Sequence, residues 1–262
     1  MKKKLILILL APFLFGFTIH GKSVSKANGR SVYRVNGRQV SNTPSAPSSE
    51  LCEGGELFCS DFETNVSWDT ETDPEDAALT ADGDWTDQDS ANAINGTYSL
   101  SIRGGATVYV QKQFSETDEF YIEGWFRTPS DLTSWVGPFI ILDSTLANTN
   151  VSLTTSTTTL QIYHPNSTDA VSYTFSPSTE YHIGVYYKQE YPDLAGNNGI
   201  LRVWVRTDAS DFTASDLKLN LTNCNTGDVN AAYIRFRGPG TGLINTIDDC
   251  VIKSGAPSWP TS

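Results

Sequence analysis

Between residues 50 and 262, short stretches alternate apolar side chains with aromatic and charged ones. In 120–127 an apolar row of Phe120, Ile122, Gly124 and Phe126 leaves Tyr121, Glu123, Trp125 and Arg127 on the other face of an extended chain. In 182–188 Ile183, Val185 and Tyr187 leave His182, Tyr186 and Lys188; in 200–206 Leu201, Val203 and Val205 leave Arg202, Trp204 and Arg206. Ile234 and Phe236 likewise leave Tyr233, Arg235 and Arg237, and Leu160 and Ile162 leave Gln161 and Tyr163. Aromatic faces stack on the C–H surfaces of sugars, and an Arg fork grips a carboxylate or sulfate through two N–H groups. Trp125, Arg127, Tyr163, Tyr186, Lys188, Arg202, Trp204 and Arg206 are therefore candidate carbohydrate-binding residues, provided their strands share one sheet. They would suit an extended glycan, and the Arg side chains an anionic one. The competing reading is ordinary strand surface, with Trp125 and Trp204 packed under loops and His182 structural.

Other chemistry is poorly supplied. No G-x-S-x-G nucleophile elbow, HExxH helix or phosphate loop occurs. Beyond His20 the chain has only His164 and His182. Ser215-x-x-Lys218 stands without companion motifs, as a chance match. Asp82, Asp84, Asp87 and Asp89 place four carboxylates in one loop, hard oxygen donors of the kind Ca²⁺ takes, though without the Gly and closing Glu of an EF-hand. Four cysteines allow three pairings. Cys52–Cys59 with Cys224–Cys250 is favoured, and Cys59–Cys250 is the rival. None has the spacing of a zinc site.

The elements that must carry these residues are strands. Thr, Ser, Asn, Gly, Tyr and Phe are abundant, and about a dozen β-rich runs between 57 and 252 are separated by turn clusters such as Gly104-Gly105 and Gly238-Pro239-Gly240. That pattern indicates an all-β, two-sheet antiparallel sandwich in one domain, 51–256, with a tail at 257–262. Residues 1–27 read as a secretory signal: Lys2–Lys4 precede a 13-residue apolar run, Leu5–Phe17, short for a membrane span. Residues 28–50 read as a flexible polar linker. The expected location is secreted, periplasmic or cell-surface, as a monomer. The net charge of −12 conceals a division: residues 1–49 hold eight bases and no acid, whereas 50–262 hold all 30 acids and ten bases. An acidic body excludes nonspecific nucleic-acid binding.

Several segments in sequence order resemble the concanavalin A-like, laminin-G-like jelly rolls. Phe58-Cys59-Ser60-Asp61-Phe62-Glu63 is similar to their opening strand and Gly96–Ile102 to their second; 120–127 is similar to the Trp-bearing strand. Residues 180–187 and 198–205 resemble a later pair, and Ile247-Asp248-Asp249-Cys250-Val251-Ile252 the closing strand, although Tyr181 stands where Trp is usual. The resemblance implies a jelly roll from a superfamily of lectin-like modules, glycoside hydrolases, polysaccharide lyases and adhesive domains. It also implies a structural Ca²⁺ at Asp61, Glu63 and Asp248 or Asp249. The E-x-D-x-x-E strand of its glucanases is absent. Gln161-Ile162-Tyr163-His164 and Tyr186-Tyr187-Lys188-Gln189 loosely resemble alginate-lyase strands, with altered spacing, which would make Arg127, Gln161, His164 and Tyr186 the catalytic set of a polyuronate lyase. The expected function is binding of an extended polysaccharide; the alternatives are that lyase and an adhesive domain without a glycan site.

Overall fold

The computed structural model describes residues 18–19, 22–27, 30–35, 38–39, 52, 54–64, 66–72, 85–133, 136–156, 159–164, 167–190 and 198–261. The chain divides into two compact units, Met1–Ser45 and Ala46–Ser262. In the first, β1 (Thr18–Ile19), β2 (Lys22–Ala27), β3 (Arg30–Val35) and β4 (Arg38–Gln39) pair in order as an antiparallel meander. The sequence reads this region as leader and tether. Yet the partners Ala27–Arg30 and Val35–Arg38 each enclose an Asn-Gly pair, the dipeptide best suited to a two-residue hairpin link.

The second unit is the expected sandwich. Its strands are β5 (Phe58–Ser60), β6 (Thr70–Glu71), β7 (Trp85–Asp89), β8 (Ser99–Gly104), β9 (Tyr109–Thr117), β10 (Glu119–Arg127) and β11 (Val136–Asp143). They continue with β12 (Thr149–Ser156), β13 (Thr159–His164), β14 (Ser167–Thr174), β15 (Glu180–Lys188), β16 (Gly199–Arg206), β17 (Leu217–Cys224), β18 (Ala231–Arg237) and β19 (Gly240–Ser254). One sheet runs β17-β16-β15-β10-β19-β8-β7, with β5 also on β19; the other runs β14-β13-β12-β11-β18-β9-β6. Every pairing is antiparallel.

Alternation decides which face is core. Along β10 the buried residues are Phe120, Ile122, Gly124 and Phe126, and each residue between them is half-buried. β18 repeats this with Ala232, Ile234 and Phe236. The inner rows of the two sheets meet across the interior, as where Phe126 of β10 packs on Phe139 of β11 with centroids 5.7 Å apart. Burying one such side chain stabilises the fold by roughly 1.5–3 kcal/mol.

β19 is long because it has two partners along one edge. β8 covers Ile244–Ile247 and β5 covers Cys250–Ile252. At the junction the register against β10 slips between Glu123 and Trp125, and Asp249 takes a left-handed φ of 46°. Phe62, just past the end of β5, has φ 53°. The bulge thus presents Asp248 and Asp249 to the chain leaving β5 and entering β8.

Cys52 and Cys59 form the expected disulfide, with Cα atoms 5.7 Å apart. Cys224–Cys250 does not form, and both thiols are free. Cys224 ends the edge strand β17, four strands from β19, roughly 19 Å at the usual strand spacing. A disulfide needs Cα atoms within about 7 Å. Cys59–Cys250 is likewise not formed.

Candidate functional site

Seven of the eight candidate sugar-binding residues do share a sheet. On the outer face of the first sheet, Trp125, His182 and Arg206 stand in one cross-strand row, and Tyr121, Tyr186 and Arg202 in another. Between them lie Glu123, Gly184 and Trp204. Arg127 and Lys188 flank the set, and Tyr163 lies on the other sheet.

This face is covered. Gly184 has no side chain, and its space is filled by the rings of Phe212 and Trp259, 2.9 and 2.7 Å from where its Cβ would stand. Trp204 is fully buried and donates its indole N–H to the Pro260 carbonyl at 2.9 Å. Tyr186, Trp204 and Phe212 form a second apolar cluster, joined by Tyr121, Ile200, Leu217 and Trp259. His182 is sandwiched between Trp125 and Phe212, with centroids 5.1 and 4.5 Å away, and pairs with Glu123 at 2.9 Å. Three of the four cations are neutralised as well. Arg127 pairs with Glu180 and donates to the carbonyls of Asn92 and Ala93; Arg206 pairs with Asp208 and Asp216; Lys188 approaches Glu119 at 3.8 Å. Arg202 donates to Asn220 and lies 5.8 Å over the Tyr186 ring. The sequence shows which side chains leave the main core but not that residues 207–216 and 255–261 fold back over them.

The outer face of the second sheet differs. Register places Tyr163, Ser152, Ile140, Arg235, Gln111 and Thr70 in one row across β13, β12, β11, β18, β9 and β6. Five strand spacings give the row a length of about 24 Å. Tyr163 is 41% exposed; of the three exposed large apolar side chains among the described residues it alone lies in a strand. Gln111 Oε1 accepts both Nε and Nη2 of Arg235, at 2.9 and 2.7 Å, and the guanidinium lies 4.1 Å over the Tyr109 ring. Arg237 donates Nε to the Gly137 carbonyl at 3.2 Å and Nη2 to Ser152 Oγ at 2.7 Å. Burial, and then the charge of Arg235, push Arg237 down to about 10. Among the described residues neither Arg forms an ion pair. Alternation marks both as outward, but only strand order, invisible in the sequence, joins them to Gln111, Ser152 and Tyr163.

The lyase set is not assembled. Arg127 and Tyr186 are on the first sheet, Gln161 on the outer face of the second, and His164 on its inner side. His164 is buried, with Nδ1 on the Asn225 carbonyl and Nε2 on Asp169.

The carboxylates at the β19 junction are bonded within the chain. Asp248 Oδ2 accepts from Asn95 N and Ser99 Oγ, Asp249 Oδ2 from Asn95 Nδ2, and Glu63 Oε1 from Thr97 N and Tyr98 N. Burial pushes Asp248 up to about 7, with Asp249 adding to it; burial pushes Asp249 up to about 6, with Asp61 and Glu63 adding. These are hard oxygen donors, yet among the described residues no three His, Cys, Asp or Glu side chains are set to hold a metal ion. In the other acidic loop Asp82 and Asp84 lie outside the described residues. Asp89 caps Ala91 N and Asn92, and burial raises Asp87, with Asp89 and Glu71 adding.

No family model matches the chain, and no curated protein matches it. Solved structures do. An endo-β-1,4-glucuronan lyase from the fungus Trichoderma reesei superposes with a TM-score of 0.51 at 14% identity, over 76% of this chain and 96% of that one. An alginate lyase gives 0.43 at 14%, over 61% and 82%, and the receptor-binding domain of botulinum neurotoxin type G gives 0.43 at 12%, over 89% and 47%. At such identities the likeness is one of fold: this chain is built as the two-sheet antiparallel sandwich that the glucuronan lyase also uses.

Proposed function

We propose that the protein is a glycan-binding module that lays an extended polysaccharide across the outer face of its second sheet. The observation that carries this is the transverse row, with exposed Tyr163 at one end and the Gln111-held Arg235 near the other. Tyr163 offers a ring face for stacking and the exposed Thr70 a hydroxyl, while the buried Gln111 and Ser152 act from beneath, holding the half-buried Arg235 and Arg237. The row crosses the strands, and Tyr163, Ile140, Arg235 and Thr70 keep surface exposed, so one chain of sugars can touch four of them at once. The Cys52–Cys59 disulfide supports work outside the reducing cytoplasm.

The test is native electrophoresis in gels containing separate polysaccharides, with the polyuronate named for the Trichoderma protein as the first to try. Retardation is expected in at least one gel, weakened by Tyr163→Ala by about 5- to 10-fold, the size of one lost ring contact of roughly 1 kcal/mol. Retardation in none would sink the proposal. Ultraviolet absorbance of unsaturated ends, followed on the same polymers, is expected to stay flat; a rise would assign lyase chemistry instead.

A further inference from the structure

Arg235 and Arg237 form a like-charged pair in a unit whose 30 acids outnumber its bases three to one. The bases Lys112, Arg127, Lys188, Arg206 and Lys253 all find a carboxylate. Like Arg202 and Lys218, Arg235 and Arg237 take only neutral acceptors among the described residues, here an amide oxygen, a backbone carbonyl and a hydroxyl, and they alone of these four adjoin one another on one strand face. They are two residues apart on one strand face and both are half-buried, so each charge is partly removed from water and repelled by the other. Such an arrangement is costly unless a counter-charge arrives. It is also rigid. Gln111 and the Tyr109 ring hold one guanidinium, and Gly137 and Ser152 hold the other, so a ligand need not order them. Among the described residues Nη1 of neither Arg meets a protein acceptor.

We infer that Arg235 and Arg237 are the anion-recognition point of this row and select an acidic glycan through a sugar-borne oxyanion, the carboxylate of a uronate or a sulfate ester. The inference rests on the glycan-binding reading of the same face. A planar guanidinium meets either oxyanion with two parallel hydrogen bonds. The net charge of the unit does not forbid this, because distant carboxylates are screened beyond roughly 8 Å at physiological salt.

The experiment uses three gels: a polyuronate, a sulfated galactan and a neutral β-glucan. Binding at least tenfold tighter in one acidic gel than in the neutral one is expected, and whichever acidic gel retards the protein identifies the oxyanion. Arg235→Ala should lose tenfold or more. Should that variant fold poorly, Gln111→Glu sets a carboxylate on the Arg235 fork without removing bulk, and should abolish acidic retention while the thermal midpoint holds. Equal retardation by the neutral glucan, or acidic retention unchanged by Gln111→Glu, would overturn the inference and leave the glycan row standing. No retardation in any gel would overturn both.

Discussion

Gly184 and Trp259 are made for one another: a Cβ on Gly184 would stand 2.7 Å from the Trp259 ring. The glycine sits mid-strand in β15, where a side chain would ordinarily strengthen the sheet. Its absence leaves the seat in which the C-terminal segment packs, against Tyr121, Trp204 and Phe212 at centroid distances of 5.0, 5.1 and 4.9 Å. Trp259→Ala should therefore cost about 2 kcal/mol, below the range for a fully buried Trp because this ring is only half-buried. Urea unfolding measures it. Gly184→Ala should destabilise too, and neither change should alter glycan retention, since the proposed row is on the other sheet. Lost retention in a folded Trp259→Ala protein would return the binding site to the first sheet.

The junction carboxylates predict a pH dependence. Burial raises Asp248 to about 7 and Asp249 to about 6 in the folded chain, against an ordinary value near 4. Between pH 4 and 7 the folded state thus holds protons that the unfolded chain has released, and stability falls as pH rises through that window. The urea midpoint should be higher at pH 5 than at pH 8, by an amount on the order of 2 kcal/mol after allowing for partial solvent access. Asp248→Asn should flatten the slope between those values. An unchanged slope would mean that the proton is not held at this junction.

How much of this was legible beforehand follows from what alternation can and cannot say. The buried rows of β10 and β18 are those the sequence indicates, because a period of two needs no knowledge of neighbours. Strand order does need it. Trp204 and Arg235 both read as outward residues on strands, yet one is sealed under Pro260 and Phe212 and the other lies beside Gln111, with no counter-ion among the described residues. The difference comes from a C-terminal segment and a 207–216 loop whose sequences carry no periodic signal. Asp249 was a candidate ligand by type, but the bulge that turns it toward Asn95 depends on β5 and β8 meeting end to end along β19.

Gly137 offers a check on the geometry of the second sheet. A Cβ there would stand 1.9 Å from the Leu153 carbonyl oxygen, a backbone atom with nowhere to retreat. Gly137→Ala must therefore push β11 from β12, the strands between which Arg237 reaches Ser152. The expected result is a loss of roughly 2 kcal/mol, in the range for a strained core insertion. Acidic-glycan retention should fall with it, even at temperatures where the protein remains folded. Unchanged retention in the folded variant would show that the Arg237–Ser152 contact does not position the site.

The free thiols distinguish the observed covalent structure from the pairing that the sequence favours. Cys250 is fully buried and Cys224 half-buried, with burial pushing Cys224 up to about 11 and Cys250 well above its ordinary value. Neither thiolate is populated near neutrality, so a disulfide reagent should react slowly or not at all with the native chain. In denaturant without reductant two thiols per chain should react, because only Cys52 and Cys59 are bridged. A count of none would restore the Cys224–Cys250 bond. Reducing the Cys52–Cys59 bridge should cost about 2 kcal/mol, since it closes a loop of only a few residues near the start of the sandwich and constrains the unfolded chain little.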